Sequence, residues 1–196
     1  MNELARKIRL AFEKKGYRFF ENGKYNLNIV GIRSKNNIPG KFDDRIVVIY
    51  KDTFGVEQVR IFLATTDPGL YYLKNLINVK GTAILAPGQH KSAFQLGLHR
   101  KKERALVQLS KLPVIRDSNR DGILDFSGRN LDLGFHGIHI HSAGSGSEKV
   151  GRWSAGCQVI QEPVEYRYFI SLCEEGAKYW GNVFTYTLLE ERDLEA

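Results

Sequence analysis

The sequence predicts a single β-rich α+β domain. Its 196 residues are a length that one hydrophobic core can organise. Short apolar or alternating runs recur between turn-rich segments, while helical periodicity is confined to one stretch near each end. No internal repeat, low-complexity tract or linker divides the chain, so one domain spans 1–196, with a helix within 1–20 and a core over 25–196.

Leu4, Ile8, Ala11 and Phe12 form an amphipathic stripe, which predicts a helix over 2–15 ended by Gly16. Strand-like runs follow in YNLNIVGIR, DRIVVIY, VEQVRIFLAT, GTAILA and RALVQL. Between several of them lie KNNIPGKFDD, KDTFG and TTDPG, which read as turns. KLPVIR looks extended, and GIHIH supplies a further strand. Val164, Tyr168, Leu172, Cys173 and Trp180 recur at helical spacing, predicting a helix over about 164–180, and NVFTYTLLEE closes the chain as an alternating strand. Mostly strands with a helix at each end is the α+β signature.

The net charge of +7 suits a polyanionic partner: nucleic acid, an anionic membrane surface or an anionic wall polymer. The densest basic run, His99-Arg100-Lys101-Lys102 with Arg104 behind it, reads as a solvated face. The aromatic-plus-basic signature of nucleic-acid modules is absent, so no nucleic-acid partner is expected. No window approaches the roughly 18 apolar residues of a membrane span. MNELARKIRLAFEKKGYRFF has no apolar block of a signal peptide, which predicts synthesis in the cytoplasm and, for any action elsewhere, a separate route of delivery. The two cysteines make no disulfide framework, although one bridge between them stays open. Cys173 lies on the apolar stripe of its helix and reads as core.

The chemistry concentrates in GIHIHSAGSGSEKVGRWSAGCQVI, from Gly137 to Ile160. Strand alternation puts His139 and His141 on one face and Ile138 and Ile140 on the other. Two imidazoles side by side suit a cleft better than a core. Cys157 becomes a nucleophile only as thiolate, and a histidine on an adjacent strand can take its proton and return it to a leaving amine. Gly156 permits a sharp turn and would aim N–H groups at a developing oxyanion; Ser154 is placed to hydrogen-bond within that turn. A zinc site of Cys157, His139 and His141 is the competing arrangement, without the paired-cysteine spacing of structural zinc. His136, His90 and His99 could join either one. A papain-like peptidase has the reverse order of cysteine and histidine.

His141, then Cys157 within Ser154-Ala155-Gly156-Cys157, resembles the L,D-transpeptidase catalytic domain, the YkuD-like family, whose signature is a strand His, a variable loop and Ser/Thr-x-Gly-Cys. LATTDPG, GTAILAPGQH and the helix and strand after the cysteine extend the likeness over most of the chain from Tyr25. WSAGCQV is similar to a phage- and bacteria-associated subgroup synthesised without a leader, in which the position of His139 can be asparagine; this favours His141 as base. Two departures, Ala155 for His or Lys and Gln158-Val159 for Ile/Val-Arg, bear on the acceptor.

The resemblance implies a β-sandwich or barrel core with an N-terminal helix and a helix after the cysteine. It also implies peptidoglycan stem-peptide acyl transfer through a thioester, by transpeptidation or hydrolysis, with wall or periplasm as site of action after release or delivery. Cys157 and His141 would be catalytic with Gly156 and Ser154. His139, Trp153, Ala155, Gln158 and His90 would contact substrate, and no cofactor would be required. A non-catalytic wall-binding module on the same fold is the alternative, and the oligomeric state stays open.

DSNRDGILD copies the first nine positions of a calcium loop, with Asp117, Asn119, Asp121 and Asp125 at 1, 3, 5 and 9. Position 12 is Gly128, where a bidentate Glu should close the site. A structural calcium ion is therefore weighed against an Asx-rich turn whose carboxylates cap backbone N–H groups.

Overall fold

The computed structural model describes residues 2–36, 38–127, 131–144 and 146–195. The chain runs α1 (Glu3–Lys15), β1 (Asn28–Arg33), β2 (Asp44–Lys51), β3 (Glu57–Thr65), α2 (Leu70–Lys74), β4 (Thr82–Leu85), β5 (Gly88–His99) and β6 (Glu103–Gln108). It continues through β7 (Leu112–Asp117), β8 (Asp132–Gly134), β9 (Ile140–Ser142), β10 (Gln158–Ile160), α3 (Pro163–Trp180), β11 (Phe184–Glu190) and a 3-10 turn, Glu191–Leu194. It is an α+β architecture, as its sequence predicts. No described helix is long and apolar enough to cross a membrane.

Eight strands close a barrel in the order β1-β11-β5-β6-β9-β10-β3-β2, and β4-β7-β8 form a separate three-stranded sheet. Helix α1 starts on an Asn2 side chain that accepts from the Leu4 and Ala5 N–H groups, and it ends on Gly16 in the left-handed conformation. Its stripe of Ala5, Ile8, Ala11 and Phe12 packs on Val30, Ile32, Val47 and Ile49. Alternation then turns Ile29, Gly31 and Arg33 of β1 towards the barrel interior. Every residue of β1 is consequently buried, covered by core on one side and by α1 on the other. Helix α3 contributes Phe169, Ile170, Leu172 and Cys173 to the main core. Both cysteines are free thiols.

β9 and β10 position the site. They pair in parallel, with Gln158 opposite Ile140 and Val159 opposite His141. The Gln158 N–H donates to the His139 carbonyl at 2.9 Å, which extends the ladder towards Cys157. Ile140 and Ile160 join the main core, so alternation sends His139, His141, Cys157 and Val159 to the outer face of the barrel wall. Of the expected GIHIH strand only Ile140 and His141 are regular, in β9 with Ser142; His139 lies just before it.

Candidate active site

Cys157 ends the turn Ser154-Ala155-Gly156. The Ser154 hydroxyl donates to the Cys157 carbonyl at 2.8 Å and accepts from the Gly156 N–H at 3.2 Å, cross-tying the turn. Gly156 has φ +127°, and a Cβ there would stand 2.5 Å from the Ala83 carbonyl oxygen, so this position needs glycine both for conformation and for space. One expectation changes. The Gly156 N–H already has a partner in Ser154, whereas no bond is described for the N–H of Cys157, which is the better oxyanion donor.

The Cys157 sulfur rests between two backbone groups. It accepts from the His139 N–H at 3.5 Å and donates to the Gly137 carbonyl at 3.5 Å. Burial pushes the thiol up to about 11, with the His139 N–H and the charge of Arg100 acting in the opposite direction. Among the described residues no imidazole nitrogen bonds the sulfur, so in this resting arrangement the proton stays on it.

His141 is 3 % exposed. Its Nδ1–H donates to the Ser142 carbonyl at 2.8 Å, which fixes the tautomer and leaves Nε2 as the basic nitrogen. That Nε2 is buried with no hydrogen-bond partner among the described residues. Burial chiefly, with the neighbouring charge of His99 next, lowers its titration to about 4. His139 is lowered to about 4 by the same two causes. His99, at the end of β5, completes the cluster: its ring stacks on His141 with centroids 4.1 Å apart at 9°, and its Nδ1 lies 3.1 Å from Nδ1 of His139. The basic run around His99 is thus more than a solvated face.

One cavity adjoins the turn and a second lies by the histidines and Trp153, the residue before the turn. The first, about 390 Å³, is bordered by Ala155, Ala83, His136, Phe135 and Arg116. The other, about 150 Å³, is bordered by His141, His99 and Trp153. The Trp153 indole donates to the Ser147 hydroxyl at 3.0 Å and lies close over Gly144. His136 is held by the Leu112 and Asp132 carbonyls and accepts from Arg116, so its ring is part of the scaffold.

Two expected substrate contacts are corrected. Gln158 is fully buried in the barrel interior, where it accepts from the Tyr186 hydroxyl at 2.8 Å and donates to the Thr66 and Gly156 carbonyls, each at 3.4 Å. Alternation from Cys157 forces this inward direction. His90 sits nine residues from His99 along β5, roughly 25–30 Å of extended chain, buried against the Ala86 carbonyl at 3.0 Å. It borders neither cavity.

The Asp117 loop caps much of its own backbone, with Asp117 Oδ1 buried and unpartnered among the described residues. Asp117 accepts from the Asp125 N–H, Asp121 from the Ile123 N–H, and Asp125 from the Ser127 N–H, at 3.0, 2.7 and 2.7 Å. Asn119 is bonded to Asp121. Among the described residues no three acidic, histidine or cysteine side chains are grouped to hold a metal, either here or around Cys157. The loop side chains make the Asx-turn bonds of that alternative; Gly128 lies outside the described residues.

Comparison with family models, curated proteins and solved structures returns no match.

Proposed function

We propose that this chain is a cysteine acyl-transfer enzyme acting on peptidoglycan stem peptides, on an L,D-transpeptidase-like core. The carrying observation is the parallel β9–β10 pairing, which sets Cys157 beside His139 and puts it two residues along from His141, whose tautomer-fixed Nε2 is free to take a proton. The peptidoglycan assignment rests on the sequence resemblance, and the expected delivery to the wall comes with it.

In the reaction, the sulfur swings off the Gly137 carbonyl and gives its proton to Nε2 of His141. It attacks the carbonyl carbon of the third stem residue, and the Cys157 N–H receives the negative oxygen. When the intermediate collapses, the bond to the terminal D-residue breaks, and its amine takes the proton back from His141. The resulting thioester is then attacked by water or by an acceptor amine. His141 removes the proton of that attacker and returns it to the sulfur, restoring the thiol.

Mass spectrometry of defined muropeptides tests this. Loss of the terminal D-residue identifies a carboxypeptidase and joined peptides a transpeptidase, both abolished in Cys157→Ser. Unchanged muropeptides would overturn the proposal. The second reading, a non-catalytic wall-binding module, draws on the neutral resting thiol. Wall binding by Cys157→Ser at wild-type affinity, with no turnover by the wild type, would favour it.

A further inference from the structure

The turn between β5 and β6 is built in a way its sequence does not favour. The Lys102 N–H donates to the His99 carbonyl at 3.0 Å, and the two central residues, Arg100 and Lys101, both have positive φ, 50° and 59°. A tight hairpin turn of this hand normally takes Asn-Gly. Placing two long cations in left-handed backbone is strained, and strain of this kind gathers where a side chain is needed at a particular spot.

That spot is the small cavity beside His141. Arg100 and Lys102 line it together with Glu103, His99, His141 and Trp153. Neither cation is ion-paired among the described residues, whereas Arg104, one strand turn away, is bound to Glu174 at 3.0 Å. Two cations against one carboxylate leave the cavity positive. Its volume of about 150 Å³ equals about five water volumes, the size of one small residue.

We propose that this hairpin recognises a carboxylate, that of the residue which leaves when the thioester forms. The leaving amine must collect its proton from Nε2 of His141, so the leaving residue occupies the cavity on the histidine side. The acyl portion lies in the larger cleft by Ala155. A terminal residue carries its carboxylate one carbon from the scissile nitrogen, which directs it towards Arg100 and Lys102. The enzyme is thereby selective for stem peptides with a free C-terminus. The identity of this ligand rests on the acyl-transfer reading; the positive cavity does not.

The test separates the two. Cys157 is alkylated in the intact protein with iodoacetate and with neutral iodoacetamide, and the ratio of the two rates is compared with that of the unfolded chain. The folded ratio is expected to be higher, to fall about 5-fold in Arg100→Ala, and to collapse in half-molar salt. Arg100→Gly, which suits the positive φ, guards against a folding defect, and Lys101→Ala, outside the cavity, is expected to leave the ratio unchanged. In turnover, a tetrapeptide acid should be preferred over its C-terminal amide, with the preference lost in Arg100→Gly. A folded ratio no higher than the unfolded one, or one insensitive to Arg100, overturns the inference even if muropeptides are processed. An intact ratio effect with unchanged muropeptides overturns the substrate assignment alone.

Discussion

Gln158 and Cys157 are neighbours in sequence and lie on opposite sides of the barrel wall. Gln158 belongs to an inner polar cluster. Cys157 rests against Phe42, Ala143, Val150 and Val159, with a cluster of histidines on its own face of the wall. The inner cluster is densely bonded, with Arg33 Nη1 its one guanidinium nitrogen left without a hydrogen-bond partner among the described residues. Arg33 pairs with Asp67 at 2.8 Å and donates to the Thr66 and Leu85 carbonyls, with its remaining face over the Phe126 ring. Asp44 accepts from the Ser34 N–H and from both donors of Thr66. A Cβ on Gly31 would fall 1.9 Å from the Tyr186 hydroxyl, so glycine there makes the room in which Tyr186 reaches Gln158. The outer cluster of His99, His139 and His141 has one firm backbone anchor and an unpartnered nitrogen. A densely bonded network holds a turn in place; an imidazole nitrogen left without a partner keeps a lone pair that can accept a proton.

The sharpest way to break this contrast is to open the inner cluster. Arg33→Met leaves the Asp67 carboxylate buried without its cation and is expected to remove about 3–5 kcal/mol of stability, read from urea unfolding. Arg33→Met combined with Asp67→Leu should recover much of it. A loss under about 1 kcal/mol for the single variant would mean that the inner network does not support the turn.

Opening the outer cluster should act on chemistry and spare the fold. His141→Ala is expected to lower acyl transfer by about 10²–10⁴-fold, while its unfolding midpoint stays close to the wild type. The lost packing is offset by removing an unpartnered buried nitrogen. A collapse of the fold in this variant would show that His141 is scaffold.

The two clusters should also respond oppositely to pH. Burial, with the Asp67 charge next, raises Asp44 to about 7 from an ordinary 3.8. Its contribution is therefore full below about 3.8 and is lost as pH rises through about 7. His139 and His141 are lowered from 6.5 to about 4, so theirs is present above about 6.5 and lost as pH falls through 4. Relative to wild type, Asp44→Asn should gain stability between pH 4 and 7, and His139→Asn should gain it between pH 6.5 and 4. Parallel profiles for both variants would erase the distinction.

Local patterns carried much of this into the sequence, because each is set by neighbours a few residues apart. Helix α1 with its Gly16 cap, the extent of α3, strands β1 to β3, and the shared face of His139 and His141 were all legible. The buried face of α3 was only half legible: Leu172 and Cys173 are core, but Val164, Tyr168 and Trp180 are exposed and Tyr166, Phe169 and Ile170 are buried in their place. Strand β5 was not. Ser92 has φ 49°, and the pairing of β5 with β11 shifts register between Phe184 and Tyr186, so apolar alternation along β5 changes parity midway. His99 reaches His141 only through that hidden strand, so the sequence left His99, His90 and His136 as equal candidates to join the site. Gln158 was misread because its position beside the nucleophile suggested contact with substrate, when alternation from Cys157 already pointed it inward.

The smallest expected effect isolates His99, which acts on the reaction only through His141 and is a positioning residue. His99→Phe keeps an aromatic face against the His141 ring and removes the bond to His139, a change of about 0.5–1.5 kcal/mol that should slow acyl transfer only a few-fold. His99→Ala also removes the stacked wall and admits water to a ring that burial now holds neutral. Its His141 titration, followed by NMR, should move up from about 4 towards 6.5, and the acid limb of the pH–rate profile should move with it. Rescue by Phe but not Ala, with the titration shift confined to Ala, would assign the effect to stacking. Equal activity in all three proteins, or a titration that stays put in Ala, would remove His99 from the site and leave His141 held by the Ser142 carbonyl alone.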